Sequence, residues 1–398
     1  MRRFARLTGT IVILAGLPAA CSNPAAPGPQ PGPGGASGKK VKAGFIYVGP
    51  VGDYGWSNAH DKGRLAAQKK FPWLESVVVE SVPEADSARI IDRLVNEAKC
   101  DIVFTTSFGY MDATVAAARK HKNAKFMHCS GFKREPNSGT YFAELYQMYY
   151  LNGLMAGALT KSAKAGYVAA HPIPEVVRHI NAFALGMKEV NPKARVSVKW
   201  LYSWYDPAKA KEAAESLISE GCDSLAFTED SPAVIQAAEE ATKKGRPVHA
   251  FSHYSPMQRF GDNATVSGQL VDWGIMYEEI LMRVFTGAWD NRDYFWMARE
   301  KAALLGGESG QTINPRFVDL LKSKETTDPI LGRISIHDLV MRRLAQMSEP
   351  SILFDPFTGP IHDQKGSLKV KPGERMSLGQ MLSFDWFVSS VSGDIPRR

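Results

Sequence analysis

From Lys40 onward the chain alternates short apolar runs with amphipathic stretches at helical spacing. The run AGFIYV at 43–48 predicts a buried strand, and a helix follows over about 57–71. Strands at 75–82 and 101–105 flank a helix at 87–98, with a helix at 113–120 and a strand at 125–128 after them. The pattern restarts at 166–170 (GYVAA) and continues as helix 175–190, strand 195–201, helix 207–220, strand 223–228, helix 232–243 and strand 248–252. Strands alternating with helices of this length predict βαβ units and a parallel sheet.

The second series echoes the first. LVNEAKCDIVFTTS (94–107) and LISEGCDSLAFTED (217–230) both pass from a helix through Cys-Asp into an apolar strand and a polar turn. The expected fold class is therefore α/β, with two Rossmann-like doubly wound lobes joined by a hinge. We place the first lobe at 40–145 and the second at 146–288. Residues 289–398 are expected to return and pack mainly on the first lobe.

The segment ahead of Lys40 has no such pattern. Arg2, Arg3 and Arg6 precede an apolar run at 11–17 that is too short to span a bilayer. Ala19-Ala20-Cys21 then ends the segment as a lipobox would, so 1–21 reads as a signal peptide with Cys21 as the lipidated residue. Residues 22–38 hold five Pro, five Gly and no charge. Such a stretch buries too little apolar surface to offset its ordering entropy, and 22–39 reads as a tether. The expected location is the outer face of the cell membrane, held by the lipid.

A net charge of +7 spread over 398 residues, with no basic cluster, gives no support to nucleic-acid binding. Apart from Cys21 the chain has Cys100, Cys129 and Cys222, an odd number without metal-ligand spacing. Cys100 and Cys222 each precede a strand and read as small buried residues.

In doubly wound sheets, ligands sit beyond the carboxyl ends of the strands. Those ends carry an aromatic and acidic set: Asp53, Tyr54 and Trp56 after the first strand, and Phe108 and Asp112 after the third. The second series adds Glu175, Trp204 and Asp230, and Gln269 and Asp272 follow a later apolar run. Asp206, before Pro207, reads as a helix N-cap, and Asp230 has the same reading for a helix opening at Pro232. As a set, the rings and carboxylates suit a flat heteroaromatic with ring N–H groups, although sugars also stack on Trp. The sequence holds no G-x-S-x-G elbow, P-loop or His/Asp metal cluster, so neither a catalytic residue nor a metal or cofactor is expected.

The strings GDYGW, TTSFGYMD, PIPEV and WYDPAKAKEAA resemble the basic membrane protein (Bmp) family of substrate-binding lipoproteins. The likeness runs over about 41–289, and FTGPIHDQKG (357–366) and DWFVSSVSGDIP (385–396) resemble the family's closing segment. It is greatest for the branch associated with purine bases such as adenine. The resemblance implies a type I periplasmic binding protein, acting as a monomer and handing a purine base or nucleoside to an ABC permease. It also implies a ligand ring held between Trp56 and Trp204 from opposite lobes. Nucleoside-binding members carry an Asp after the fourth strand of the second lobe and a Lys before a Val-Asp pair. Here FSHYSPM (251–257) and Gln269 stand at those places, which favours a free base over a nucleoside. A ligand-sensing receptor, or less readily a nucleoside hydrolase, are the alternatives.

Overall fold

The structure, a computed structural model, describes residues 38–351 and 354–396. The signal segment, Cys21 and nearly all of the tether lie outside the described residues.

The first sheet is built on β1 (Val41–Tyr47), β2 (Leu74–Val79), β3 (Ile102–Thr106), β4 (Lys125–Cys129) and β5 (Ser138–Ala143). Helices α1 (Trp56–Lys70), α2 (Ser87–Asn96) and α3 (Met111–Lys120) connect its strands. After the crossing helix α4 (Tyr146–Leu159), the second sheet takes β6 (Lys164–Ala169), β7 (Arg195–Trp200), β8 (Ser224–Phe227), β9 (His249–Tyr254) and β10 (Thr265–Val271). Its connections are α5 (Pro174–Val190), α6 (Pro207–Ser219) and α7 (Ala233–Lys243). Both sheets run in the order 2-1-3-4-5 and all these neighbours are parallel, so the lobes share one topology. β3 and β8 are buried at every position, as strands covered by helices on both faces must be.

The chain passes between lobes more often than the sequence reading allowed. α8 (Trp273–Thr286), expected in the second lobe, packs on α1 and β1 of the first. β11 (Asp293–Trp296) then extends the first sheet beside β5, while β12 (Ala303–Leu305) pairs antiparallel with β10 in the second.

The tail corrects the expectation that it packs mainly on the first lobe. It comprises α9 (Pro315–Ser323), the hairpin β13 (Glu325–Asp328) and β14 (Gly332–Ser335), α10 (Ile336–Ser348), the pair β15 (Ile361–His362) and β16 (Leu368–Val370), α11 (Leu378–Leu382) and β17 (Val391–Ser392). β17 pairs with β7, α10 packs on α4, and Asn181 on α5 donates to the Trp386 carbonyl at 2.8 Å. The reason is an unpaired edge: β7 would otherwise present open backbone groups to solvent.

At the centre, α4 is buried on every side and lies against α5. Glycines make this approach possible, since a Cβ on Gly153 would meet the Phe183 carbonyl at 2.2 Å and one on Gly186 the Tyr150 carbonyl at 2.1 Å. Cys100, Cys129 and Cys222 are free and buried. Among the described residues no helix is long and apolar enough to cross a membrane.

Candidate functional site

The carboxyl ends of the two sheets face each other across a cavity of about 290 Å³. Its wall is Val48, Trp56, Ser107, Phe108 and Ser130 from the first lobe, and Glu175, Trp204, Asp230 and Tyr254 from the second. Among the described residues no Lys, Arg or His lines it.

Trp56 opens α1 and is 6% exposed. Its Nε1 donates to the Thr106 carbonyl at 2.5 Å, and its ring meets His60, Tyr254 and Trp273 edge-on at 4.5, 4.9 and 5.2 Å between centroids. The Thr106, His60 and Trp273 contacts, all on the first-lobe side, fix its orientation. Trp204 is half-buried and leans on the His171 ring at 4.7 Å. Tyr254 holds a left-handed backbone (φ 59°), which turns its side chain into the cleft.

Glu175 lies in the first turn of α5, where the helix dipole favours a carboxylate. It accepts the Ser130 hydroxyl from the other lobe and the Tyr254 hydroxyl at 3.3 Å. Burial nevertheless raises its pKa. Asp230 accepts the Trp56 N–H at 3.1 Å, again across the lobes, and does not cap the helix at α7. Burial, with Asp53 and Glu229 nearby, pushes its carboxyl well above the usual range. Burial also lifts Glu229 to about 7. Asp206 does cap α6, accepting from the Lys209 N–H at 3.1 Å.

Of the sequence-predicted residues, Trp56, Phe108, Glu175, Trp204 and Asp230 come together on the wall. The other five do not line it. Asp53 is turned back on α1, accepting N–H groups from Gly55, Ser57 and Asn58 at 2.8–3.0 Å, and burial lifts its carboxyl to about 6. Tyr54 reaches over to Phe260 (4.8 Å, edge-on) and serves as a contact between lobes. Asp112 points to solvent, with its side chain 80% exposed and paired with Lys133 at 2.6 Å. Gln269 is buried in the second lobe, accepting from Asn152 at 2.6 Å, and Asp272 caps α8 through the Gly274 N–H at 2.9 Å. Asp53, Gln269 and Asp272 each have a closer partner in their own backbone or interior than the cleft offers. The sequence reading omitted Val48, Ser107, Ser130 and Tyr254 from the site. The first three directly follow strands of the first sheet and Tyr254 ends β9 of the second, which is the signal that would have found them.

Behind the site, Glu144 lies where β5 passes to α4. It accepts Arg178 Nε at 2.8 Å and pairs with His179 Nε2 at 2.9 Å, all three groups being buried. Burial alone would raise the Glu144 carboxyl, but Arg178 and His179 outweigh it and hold it at about 2. Among the described residues no group of His, Cys, Asp or Glu is arranged to hold a metal ion.

Comparison with known proteins agrees with this architecture. A purine-binding protein of Brucella abortus is 34% identical over 361 residues, covering 90% of this chain and 95% of that one. A Haloferax volcanii protein named as an ABC transporter glucose-binding protein is 37% identical over 294 residues, 74% of this chain and 73% of its own. The solved structure of an ABC transporter solute-binding protein from Aeropyrum pernix superposes with a TM-score of 0.63 at 15% identity, over 78% of this chain and 88% of that one. That likeness shows the shared fold. Residues 40–336 match the profile of the Bmp family, described as PnrA-like ABC transporter substrate-binding proteins. With that match and the full-length relatives, the chain belongs to the Bmp family of ABC transporter substrate-binding proteins.

Proposed function

We propose that the protein binds a purine base, adenine-like, in the interlobe cavity and hands it to an ABC permease, while a lipid on Cys21 holds it outside the cell membrane. One observation carries the reading: Trp56 and Trp204, from opposite lobes, share the wall of one small cavity with Glu175 and Asp230. Rings supply stacking faces, and carboxyl groups receive ring and exocyclic N–H donors. Of the residues near the expected ribose-anchor places, His253 and Gln269 are buried and engaged by Tyr149 and Asn152, while Tyr254 lines the cavity with its hydroxyl donated to Glu175. The purine-binding Brucella relative supports the same ligand class.

A sugar is the second reading, because the Haloferax relative is named for glucose and Trp also stacks on pyranose faces. An adjoining chamber of about 520 Å³ shares Phe108, Ser130 and Glu175, so a nucleoside belongs in the test as well. Calorimetry with adenine, adenosine and glucose decides among them, alongside mass spectrometry of small molecules released from the purified protein. Adenine binding tightest is the expected result. Tighter adenosine or glucose binding would replace the free-base reading.

A further inference from the structure

Bringing the lobes together buries carboxyl groups against one another. Asp53, in the first lobe, accepts three backbone N–H groups at the start of α1. Asp230 reaches the same helix start from the second lobe through the Trp56 N–H. The approach is tight, since a Cβ on Gly55 would lie 2.5 Å from Asp230 Cα. Asp53 is 1% exposed and Asp230 3%.

The surroundings offer little positive charge. Asp230 faces Glu229 in its own turn, Glu175 from α5 and the Tyr254 hydroxyl from β9. Asp53 faces Lys62 on α1 and Tyr205 from the second lobe. Lys62 is itself held below its ordinary value by burial and by Arg259. Arg178 and His179 act on Glu175 but are hydrogen-bonded to Glu144, and Asp206 adds another negative group beside Glu229.

Two carboxylates this close and this buried cannot both stay ionised. The three N–H donors and the dipole of α1 keep the charge on Asp53, whereas Asp230 has one such donor. The partners of Glu229, the Asp206 N–H and the Ser231 hydroxyl, are in its own lobe, so closure leaves its hydrogen bonds as they were.

We propose that Asp230 binds ligand as the neutral acid, so that closing the lobes takes up one proton and Asp230 donates an O–H to an acceptor atom of the ligand. Glu175 then serves as the acceptor, and the site selects a ligand carrying both an N–H donor and a ring-nitrogen acceptor. This rests on the purine reading for its probe, adenine, which carries both. With the lobes apart, Asp230 titrates as an ordinary carboxylate; with them together, its proton is held to higher pH. Between those two ranges adenine affinity falls about tenfold per pH unit as pH rises, and it is flat on either side.

Adenine calorimetry on the full chain, in buffers of low and high ionisation enthalpy at pH about 6, reads the proton count. At pH about 6 Asp53, lifted to about 6, adds a fraction of a proton to either protein, so the count is read as a difference: wild type should take up about one proton more per adenine than Asp230→Asn. A second measurement needs no ligand. Asn58 and Ser255 touch across the lobes at 3.2 Å, so Asn58→Cys with Ser255→Cys can be bridged by a short dihalide that alkylates both thiolates and releases two halide ions. Carbon-13 titration of the bridged protein should show, besides the raised Asp53 and Asp293, a further aspartate carboxyl titrating higher still, a signal lost with Asp230→Asn. Equal proton uptake by wild type and Asp230→Asn overturns the proposal, as does a bridged protein without that further signal. If adenine gives no heat at all, the purine reading fails and the bridged titration alone decides the proton.

Discussion

Trp204→Ala separates ligand stacking from protein stability. The Trp204 ring is half-buried and its described aromatic contact is His171 at 4.7 Å. Its backbone carbonyl accepts the Asp230 N–H at 2.9 Å, a bond that alanine keeps. The fold therefore loses little. The ligand loses one stacking face, about 1–3 kcal/mol per base. That is about 5- to 150-fold in affinity at 1.4 kcal/mol per decade. Trp204→Phe keeps a smaller face and should lose less. Trp56→Ala is the contrasting variant: its ring is packed on His60, Tyr254 and Trp273, so truncation should also destabilise the fold, by about 3–5 kcal/mol. Adenine calorimetry paired with thermal unfolding reads both quantities. Wild-type affinity in Trp204→Ala, or an unfolding midpoint lowered as far as in Trp56→Ala, would refute the stacking argument.

Asp112→Asn should leave adenine affinity within about twofold, because the side chain faces solvent and exposed pairs contribute little; a larger loss in calorimetry would return Asp112 to the site. Arg178→Met leaves Glu144 buried with His179 alone and should cost about 3–5 kcal/mol in urea unfolding at neutral pH. The Glu144 carboxyl is depressed in the folded protein, so its contribution is present above its ordinary value of 4.5 and is lost as pH falls towards 2. Wild-type unfolding free energy measured down that range should therefore decline more steeply than in Arg178→Met. Gly186→Ala would drive a Cβ into the Tyr150 carbonyl and should destabilise by about 1–3 kcal/mol, and an unchanged thermal midpoint would contradict the packing of α4 on α5.

Much of the architecture is legible in the chain because βαβ units advertise themselves by period. Expected and observed bounds agree to within a few residues for α1 through β4 and for β6 through β9. α4 escaped because a helix buried on all sides has no polar face to set a period, and YQMYYLNGLMAGAL reads as a plain apolar run. The placement of α8 in the first lobe escaped for another reason, since local pattern carries no information about which sheet a helix covers. Strand ends led correctly to Trp56, Phe108, Glu175, Trp204 and Asp230. They could not tell a carboxylate aimed at the cleft from one capping its own helix. Asp53 and Asp272 are caps, and only their hydrogen bonds reveal it.

The late return of α8 and β11 to the first lobe, and of β17 to the edge of β7, has a consequence for how the chain acquires its shape in time. A growing chain can make β1 to β5 early, yet the first sheet stays incomplete until residue 296 has emerged, and the second until residue 392. Contacts this distant in sequence form slowly, because a large loop must close before they reward it. The first lobe therefore lacks its edge strand until residue 296, and the second keeps an open edge at β7 until residue 392. Under the export proposed above, such a delay keeps the second lobe threadable until residue 392 has been made.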